Sequence, residues 1–509
     1  MRRLFNYAAA LAMCAAVAAC EKPLQGLDPV MSSETISITS GETVKVDFSL
    51  NDVRGNAITT TCTYIAVENY NAFVILNEGG ESGTVNITAP DMILDDTPFN
   101  VTVTFTDDAH QRVAESRITV NPVQVEGLVK LTESANSFIV APGAVALFPA
   151  CKGNTNDKAG AQKYAVLWQD AAGLVSCVKP QDNGAIAMFA AGKEGNAVIA
   201  GLDDADKVVW SWHFWVTKDA PKDVTVGGYT FMDRNIGALT LDEKSDLSTG
   251  VVYQYGRKDP FPGIRYSTDG YGLKPIYDAD GQETAIVVKE NENDNNLQGA
   301  IAEPDVYFYQ KHVSGQKHNY SWITKDATTF GADNFKALWE NDGKKSVYDP
   351  CPAGYKVASI AAWEGVKTAG TVEEIWDNDY VTWDNTAIGT YEKYIAGNKR
   401  KVQFRGCSYD GLKLTTTGEI NASTSNGTLN FANCVGRALP TAEVWCADIE
   451  PNYVTTPTQV TYFRGTAVKV NTTGNGNYDD LSAIKVNALT TTGRYGLHYA
   501  LPVRCIREK

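Results

Sequence analysis

Apolar and polar residues alternate one by one in "TVKVDFSL" (43–50) and again in "NVTVTFT" (100–106). A repeat of two cannot give a helix an apolar face, since helical neighbours recur every 3.6 residues; in an extended chain it puts every apolar side chain on one side. Val44, Val46, Phe48 and Leu50 then form one buried face, and Val101, Val103 and Phe105 another. The spacers "TSGE", "NDVRGN", "NEGGESG" and "DDAHQ" are turn-formers. Several half-buried strands joined by such turns predict a β-sandwich over residues 30–123, Ig-like in architecture only, since Cys62 has no second cysteine in the region for an inter-sheet bridge.

"NPV" (121–123) marks a boundary, and residues 124–222 read as a second β-sandwich. In "DDADKVVWSWHFWV" the alternation puts Trp210, Trp212 and Phe214 on one face and Ser211, His213 and Trp215 on the other. Stacked aromatics at that period are a packing ladder or, as the alternative, a sugar platform. Cys151 and Cys177 are close enough in sequence to bridge within this unit. "KDAPKD" is a linker, and from residue 224 to 509 the texture becomes α+β, with helical spacing in "NFKALWEN" and in "SIAAWEGVKT", the latter with Ser359 as N-cap. A chain of 509 residues exceeds one core, and roughly three domains follow.

The leader carries a different message. A basic start, a short apolar stretch and the ending "AVAAC" resemble a bacterial lipoprotein signal. The resemblance implies a signal peptide over residues 1–19, cleavage before Cys20, acylation of that cysteine by chains such as palmitate, and a tether over 20–29 on the outer membrane, facing outward. The membrane is then a partner through the lipid alone, because no other stretch has the roughly twenty apolar residues of a spanning helix. The formal charge of -15 and the lack of a Lys/Arg run exclude nucleic acid as a partner. No cysteine lies in a zinc spacing, and neither a metal nor a cofactor is expected.

In the last region "YTFMDRNIGAL" (229–239), "GVVYQYGRKDPFPG" (250–263), "YDPCPAGYKVASIAAWEGV" (348–366), "EVWCADIE" (443–450) and "ALPVRCIRE" (500–508) follow one another in an order similar to that of the FISUMP family, the Fibrobacter succinogenes major paralogous domain. The region also departs from it: Ala358 stands where the family has proline, and Cys446 falls in a stretch that is usually "YWSS". The resemblance implies a FISUMP, C-type lectin-like domain over 224–509 in a surface lipoprotein of Bacteroidetes type. In such folds the two ends of the domain meet, which implies a structural disulfide between Cys351 and Cys505.

Function classes follow from what surrounds these motifs. The five histidines form no catalytic pattern, "FRGCSYDG" (404–411) only faintly resembles a stretch of formylglycine-generating enzymes, and Pro350 and Pro352 fix the backbone around Cys351 against use as a mobile nucleophile; no enzyme is expected. "ENENDNN" (290–296) and "NGNYDD" (475–480) lack calcium-loop spacing and read as solvated loop; "EPN" (450–452) resembles the calcium and mannose motif of C-type lectins, but no tryptophan follows Trp445 to give the strand that comes after it there, so it reads as coincidence; Arg257 and Asp259 are expected to pair. Tyr266, Tyr271 and Tyr320, aromatics in long loops, are the ligand-contact candidates. The expected role is adhesion to a glycan or surface-protein ligand. The alternative is a subunit of a fimbria-like assembly.

Overall fold

The computed structural model describes residues 26–52, 60–65, 70–107, 112–181, 184–267, 270–311, 320–325, 330, 332–369, 372–377, 390–395, 398–415, 418–423, 426–433, 442–452, 462–473 and 485–509. The protein is multidomain and mostly β, in two compact units that divide after Leu128.

The first unit is a sandwich of two four-stranded sheets. One runs in the order β1 (Leu27–Met31), β3 (Thr43–Asp52), β6 (Ser82–Thr88), β5 (Asn71–Leu76), and the other β2 (Thr35–Ile38), β8 (Arg112–Pro122), β7 (Phe99–Asp107), β4 (Thr60–Ile65). The alternation is obeyed closely: Val46, Phe48 and Leu50 are buried while Lys45, Asp47 and Ser49 face solvent, and Val101, Val103 and Phe105 meet them from the other sheet. The ring centroids of Phe48 and Phe105 lie 4.8 Å apart across the layers. The β7–β8 hairpin ends on a buried pair in which Arg112 Nε donates to Asp107 Oδ2 at 2.9 Å. The side chain of Cys62 lies outside the described residues.

The second unit opens with another sandwich. A four-stranded sheet, β13 (Val175–Pro180), β14 (Ala185–Ala190), β11 (Val145–Pro149), β9 (Leu128–Lys130), faces one containing β10 (Ser137–Val140), β16 (Val208–Val216), β15 (Gly195–Leu202) and β12 (Lys163–Gln169). That second sheet is covered on both sides. Trp210, Trp212 and Phe214 fill the core between the layers with Phe138 and Phe148, whereas Trp168, Val198 and Trp215 belong to a second core shared with residues between 232 and 505. The ladder is therefore packing, with no ring surface left for a sugar. Trp210 and Trp212 also place their indole N–H groups on Asn136 Oδ1 and the Cys151 carbonyl.

Cys151 and Cys177 do not bridge; each is a free thiol. Strand β14 runs between the two cysteines. Cys177 pairs with Phe189 at one end of it, while Cys151 follows Pro149, which pairs with Ala185 at the other. Two strand spacings and several residues of offset far exceed the 7 Å Cα separation a disulfide allows.

The remaining chain keeps to strands. One sheet is β17 (Asp223–Val226), β18 (Tyr229–Met232), then Cys505–Arg507 and Tyr355–Val357; another joins β19 (Val252–Gln254) to Ala500–Pro502, Gly418–Ala422 and Leu429–Asn433. Helices are short. "NFKALWEN" is helical only over Ala332–Lys336, "SIAAWEGVKT" over Ile360–Ala369 with Ser359 Oγ accepting from Ala362 N, and Leu297–Ala302 is a helix that periodicity did not reveal. Among the described residues no helix is long and apolar enough to cross a membrane, and none of their side chains group as a metal site.

Candidate recognition site

Two constructions dominate residues 129–509: a clasp that fixes the frame, and an aromatic cluster at Tyr320.

Cys351 and Cys505 are joined by a disulfide, Cα to Cα 6.0 Å and 154 residues apart in sequence, with both cysteines fully buried. The register explains why they meet. Cys505 pairs with Val357, and the turn 349–355 folds Cys351 back beside it. A single carboxylate organises that turn: Asp349 accepts from Cys351 N (2.8 Å) and Val357 N (2.9 Å). Lys345, buried with its ammonium 3.4 Å from Asp349, donates to the carbonyls of Cys351, Pro352 and Tyr355 at 2.5, 3.0 and 2.6 Å. Burial lowers the lysine's pKa and raises the aspartate's, so three carbonyls and an ion pair are what hold the charges inside. Cys351 is thus locked in structure, without access to solvent.

Side chains of the second sandwich seat the same turn. Asn136 Nδ2 donates to the carbonyls of Val347 and Asp349 at 2.8 and 2.9 Å, and Ser137 Oγ to that of Pro350 at 2.6 Å. Ser137 also lies 3.1 Å from His213 Nδ1, and His213 Nε2 lies 3.0 Å from Asn196 Oδ1. Because Asn196 donates its amide to Asp170 and to Gly237 O, its oxygen faces the ring and His213 carries its hydrogen on Nε2. This Ser–His–Asn row mimics a hydrolytic relay. It is a packing strut: Ser137 and His213 are each 1% exposed, the hydroxyl is committed to Pro350, and burial takes His213 down to about 3, leaving it neutral.

The "GRKDPFPG" turn departs from the expected Arg257–Asp259 pair. Asp259 instead binds its neighbour Lys258 (2.6 Å) and Ser211 Oγ (2.6 Å), while Arg257 donates to the carbonyls of Val306, Glu303 and Pro304. Burial lowers Arg257 to about 10, and Phe261 lies beneath its guanidinium at 4.9 Å. Three indoles hold the strand before it: Trp445 donates to Tyr253 O (2.7 Å), Trp322 to Tyr255 O (2.7 Å) and Trp339 to Arg257 O (3.1 Å). "ENENDNN" is not simply solvated either, since Asn291 and Asn296 are buried and Asn296 donates to Trp322 O at 3.2 Å. "EPN" ends the strand Ala442–Asn452, and "NGNYDD" lies outside the described residues.

Tyr266 and Tyr271 face each other in the hairpin Ile264–Ser267/Gly270–Leu273, with side chains outside the described set. Tyr320 is elsewhere, and its backbone is unusual: φ is +45°, the left-handed region that a bulky aromatic avoids. Its carbonyl accepts from His498 N at 2.8 Å. Gly496 makes the approach possible, because a Cβ there would lie 2.4 Å from that of Tyr320. The Tyr320 ring meets His498 edge-on at 5.6 Å, His498 stacks on Tyr499 at 5.2 Å, and Tyr499 touches Tyr495 at 5.6 Å. The three tyrosines are half-buried around a buried histidine, which burial takes down to about 3. His498 Nδ1 has no hydrogen-bond partner among the described residues. From below, the His498 carbonyl is fixed by Gln254 Nε2 at 3.0 Å and by the Tyr307 hydroxyl. Sequence reasoning singled out Tyr320 but missed Tyr495, His498 and Tyr499; the small residue in "GLHY" (496–499) was the one available sign of a close approach.

No protein-family model matches the chain, and no curated protein matches it. Among solved structures, domains 4 and 5 of the S-layer protein SbsC align over 19% of this chain and 46% of theirs, at 19% identity and TM-score 0.15. The Yersinia pseudotuberculosis adhesin InvE aligns over 46% of this chain and 77% of its own, at 11% identity and TM-score 0.17. Tandem Ig repeats of Dlar align over 38% and 98%, at 10% and 0.14. Scores of that size carry no argument about this chain's fold or role.

Proposed function

We propose that the protein is a non-catalytic lipoprotein of the outer-membrane surface, tethered through Cys20, whose C-terminal region recognises a glycan or a surface protein. The observation that carries this reading is the clasp. A buried disulfide belongs to an oxidising, exported setting, and its cage of carbonyls around Lys345 makes a rigid frame of the kind that binding loops require. The FISUMP resemblance, with its lectin-like fold for residues 224–509, supports surface display and leaves the ligand open. The test is metabolic labelling with a fatty-acid analogue, protease shaving of intact cells, and a glycan array on the mature chain with and without calcium. Labelling that survives Cys20→Ala, or a chain protected from protease on intact cells, would sink the surface-anchor reading.

A fimbria-like subunit is the second reading, favoured by strand β5. This edge strand, "NAFVIL", has no charged residue and leaves Phe73, Ile75 and Leu76 exposed at 39%, 53% and 37%, whereas edges are ordinarily guarded by charge or proline. Concentration-dependent polymers of the mature chain that Ile75→Lys abolishes would favour assembly over recognition.

A further inference from the structure

Strand β5 repeats its chemistry when read backwards. About Val74, the stretch "NAFVILN" (71–77) matches Phe73 with Ile75, Ala72 with Leu76 and Asn71 with Asn77. On one side β5 pairs with β6; among the described residues no strand pairs with its other side. Asn77 sets the phase of the ladder. Its N–H donates to the Ser82 carbonyl at 2.9 Å, so Asn71, Phe73, Ile75 and Asn77 turn their backbone groups to β6, while Ala72, Val74 and Leu76 direct theirs to the open edge. The side chains are uncovered as well: Phe73 and Ile75 are exposed on the outward face, and in the inward row Leu76 is still 37% exposed and Val74 only half-buried. At the far edge of the same sheet β1 carries Asp28 and Pro29, the usual guards against pairing; β5 has neither a charge nor a proline.

We infer that β5 is a two-fold interface at which a second copy of this chain pairs antiparallel, β5 to β5, centred on Val74. Opposed residues of antiparallel strands share a face, so a two-fold axis normal to the sheet must join residues of the same row. Centring on Val74 does so. Val74 meets its own counterpart and Ala72 meets Leu76, and because these are the positions whose N–H and C=O groups are free, each pair exchanges both hydrogen bonds. Between them Phe73 packs on Ile75 of the second copy, in the closely spaced pairs where side chains touch, and Asn71 meets Asn77, amide to amide. No like charges are opposed, since the next position, Glu78, meets Tyr70. A contact that uses the same patch twice closes at two copies, so this goes beyond both readings above: it neither supplies the ligand nor builds a fibre. One pair of strands is smaller than the roughly 1,600 Å² of a standard interface, so the contact is weak in solution and gains from confining tethered chains to one plane.

The experiment follows the full mature chain in two arms: sedimentation in solution at rising concentration, and oxidative cross-linking of the acylated chain on phosphatidylcholine vesicles in a Cys177→Ser background. Wild type is expected to pass from monomer to dimer with no larger species. Ile75→Lys, at an exposed position, is expected to weaken the dimer by about tenfold or more while leaving the unfolding midpoint in place. Val74→Cys reads the register. Hydrogen-bonded antiparallel partners lie about 5.5 Å apart at Cα, within disulfide reach, so this variant is expected to link two copies at position 74, whereas Ile75→Cys, facing Phe73, is not. Monomer at every concentration together with no link at position 74 overturns the interface. Polymers that grow past the dimer overturn the two-fold and favour the fimbria-like reading, and cross-linking of Ile75→Cys in preference to Val74→Cys overturns the register. The solution arm needs no lipid, so failure of the anchor at Cys20 leaves the interface readable.

Discussion

The two sandwiches are built from the same alternation but use it differently. In the first, the outward positions of β3 meet solvent, and the sheet is a half-buried surface of the ordinary antiparallel kind. In the second, β16 runs from Trp210 to Val216 without an exposed residue, because its outward row, Ser211, His213 and Trp215, is covered by the residues that follow. Covering a row that contains polar groups obliges each to find a partner: Ser211 binds Asp259 and Lys258, and His213 lies between Asn196 and Ser137. The lesson is that alternation shows which residues share a face, whereas burial of that face depends on distant chain.

Breaking the clasp should separate the units most. Cys351→Ser/Cys505→Ser opens a loop of 154 residues and is expected to cost the second unit about 4–5 kcal/mol in the chain-entropy model. Differential scanning calorimetry should show its transition falling while that of residues 26–128 stays in place; equal shifts of both would contradict the division. Trp215→Ala empties the outward face of β16 and should cost about 3–4 kcal/mol in denaturant unfolding of the same unit. A loss below about 1 kcal/mol would mean that the outer core is loosely packed.

Acid sharpens the contrast further. Burial lowers His213 and His498 to about 3 in the folded chain, while unfolded histidine titrates near 6.5. The unfolded state therefore binds protons that the folded state refuses. Stability is complete above pH 6.5 and is lost as the pH falls from there toward 3, by up to about 1.4 kcal/mol per pH unit for each ring. Asp349 opposes this, because burial raises its folded pKa and lets the native state take up a proton first. Chemical denaturation at pH 7 and pH 5.5 should show a net loss confined to the second unit, and no loss would place the histidines in contact with solvent. The smallest effect belongs to the open face of the first unit: Ile75→Thr, at an exposed position, should change its midpoint by less than about 0.5 kcal/mol. A larger loss would show that this edge is already covered.

These contrasts also mark what was legible. Val44 to Leu50 and Val101 to Phe105 announced their strands and their buried side, because local periodicity carries that information. The clasp was anticipated only by resemblance, since no spacing joins residues 154 positions apart. Lys345 sits in "KK" within a polar stretch and reads as solvated; its burial depends on carbonyls of a turn that local pattern does not place in space. Tyr320 was picked out as a loop aromatic, but the contacts described for it come from Gly496 and His498, which local pattern does not bring to it. The failed Cys151–Cys177 bridge has the same origin: nearness in sequence gave no sign that β14 runs between them.

The indoles over Tyr253, Tyr255 and Arg257 have a practical corollary. All ten tryptophans of the chain fall after residue 128, at positions 168 to 445. Ultraviolet emission excited at the indole band is consequently a private channel of the second unit, silent about the first. A red shift in that light would report the loosening of Trp322, Trp339 and Trp445 from their carbonyls without any label having been attached.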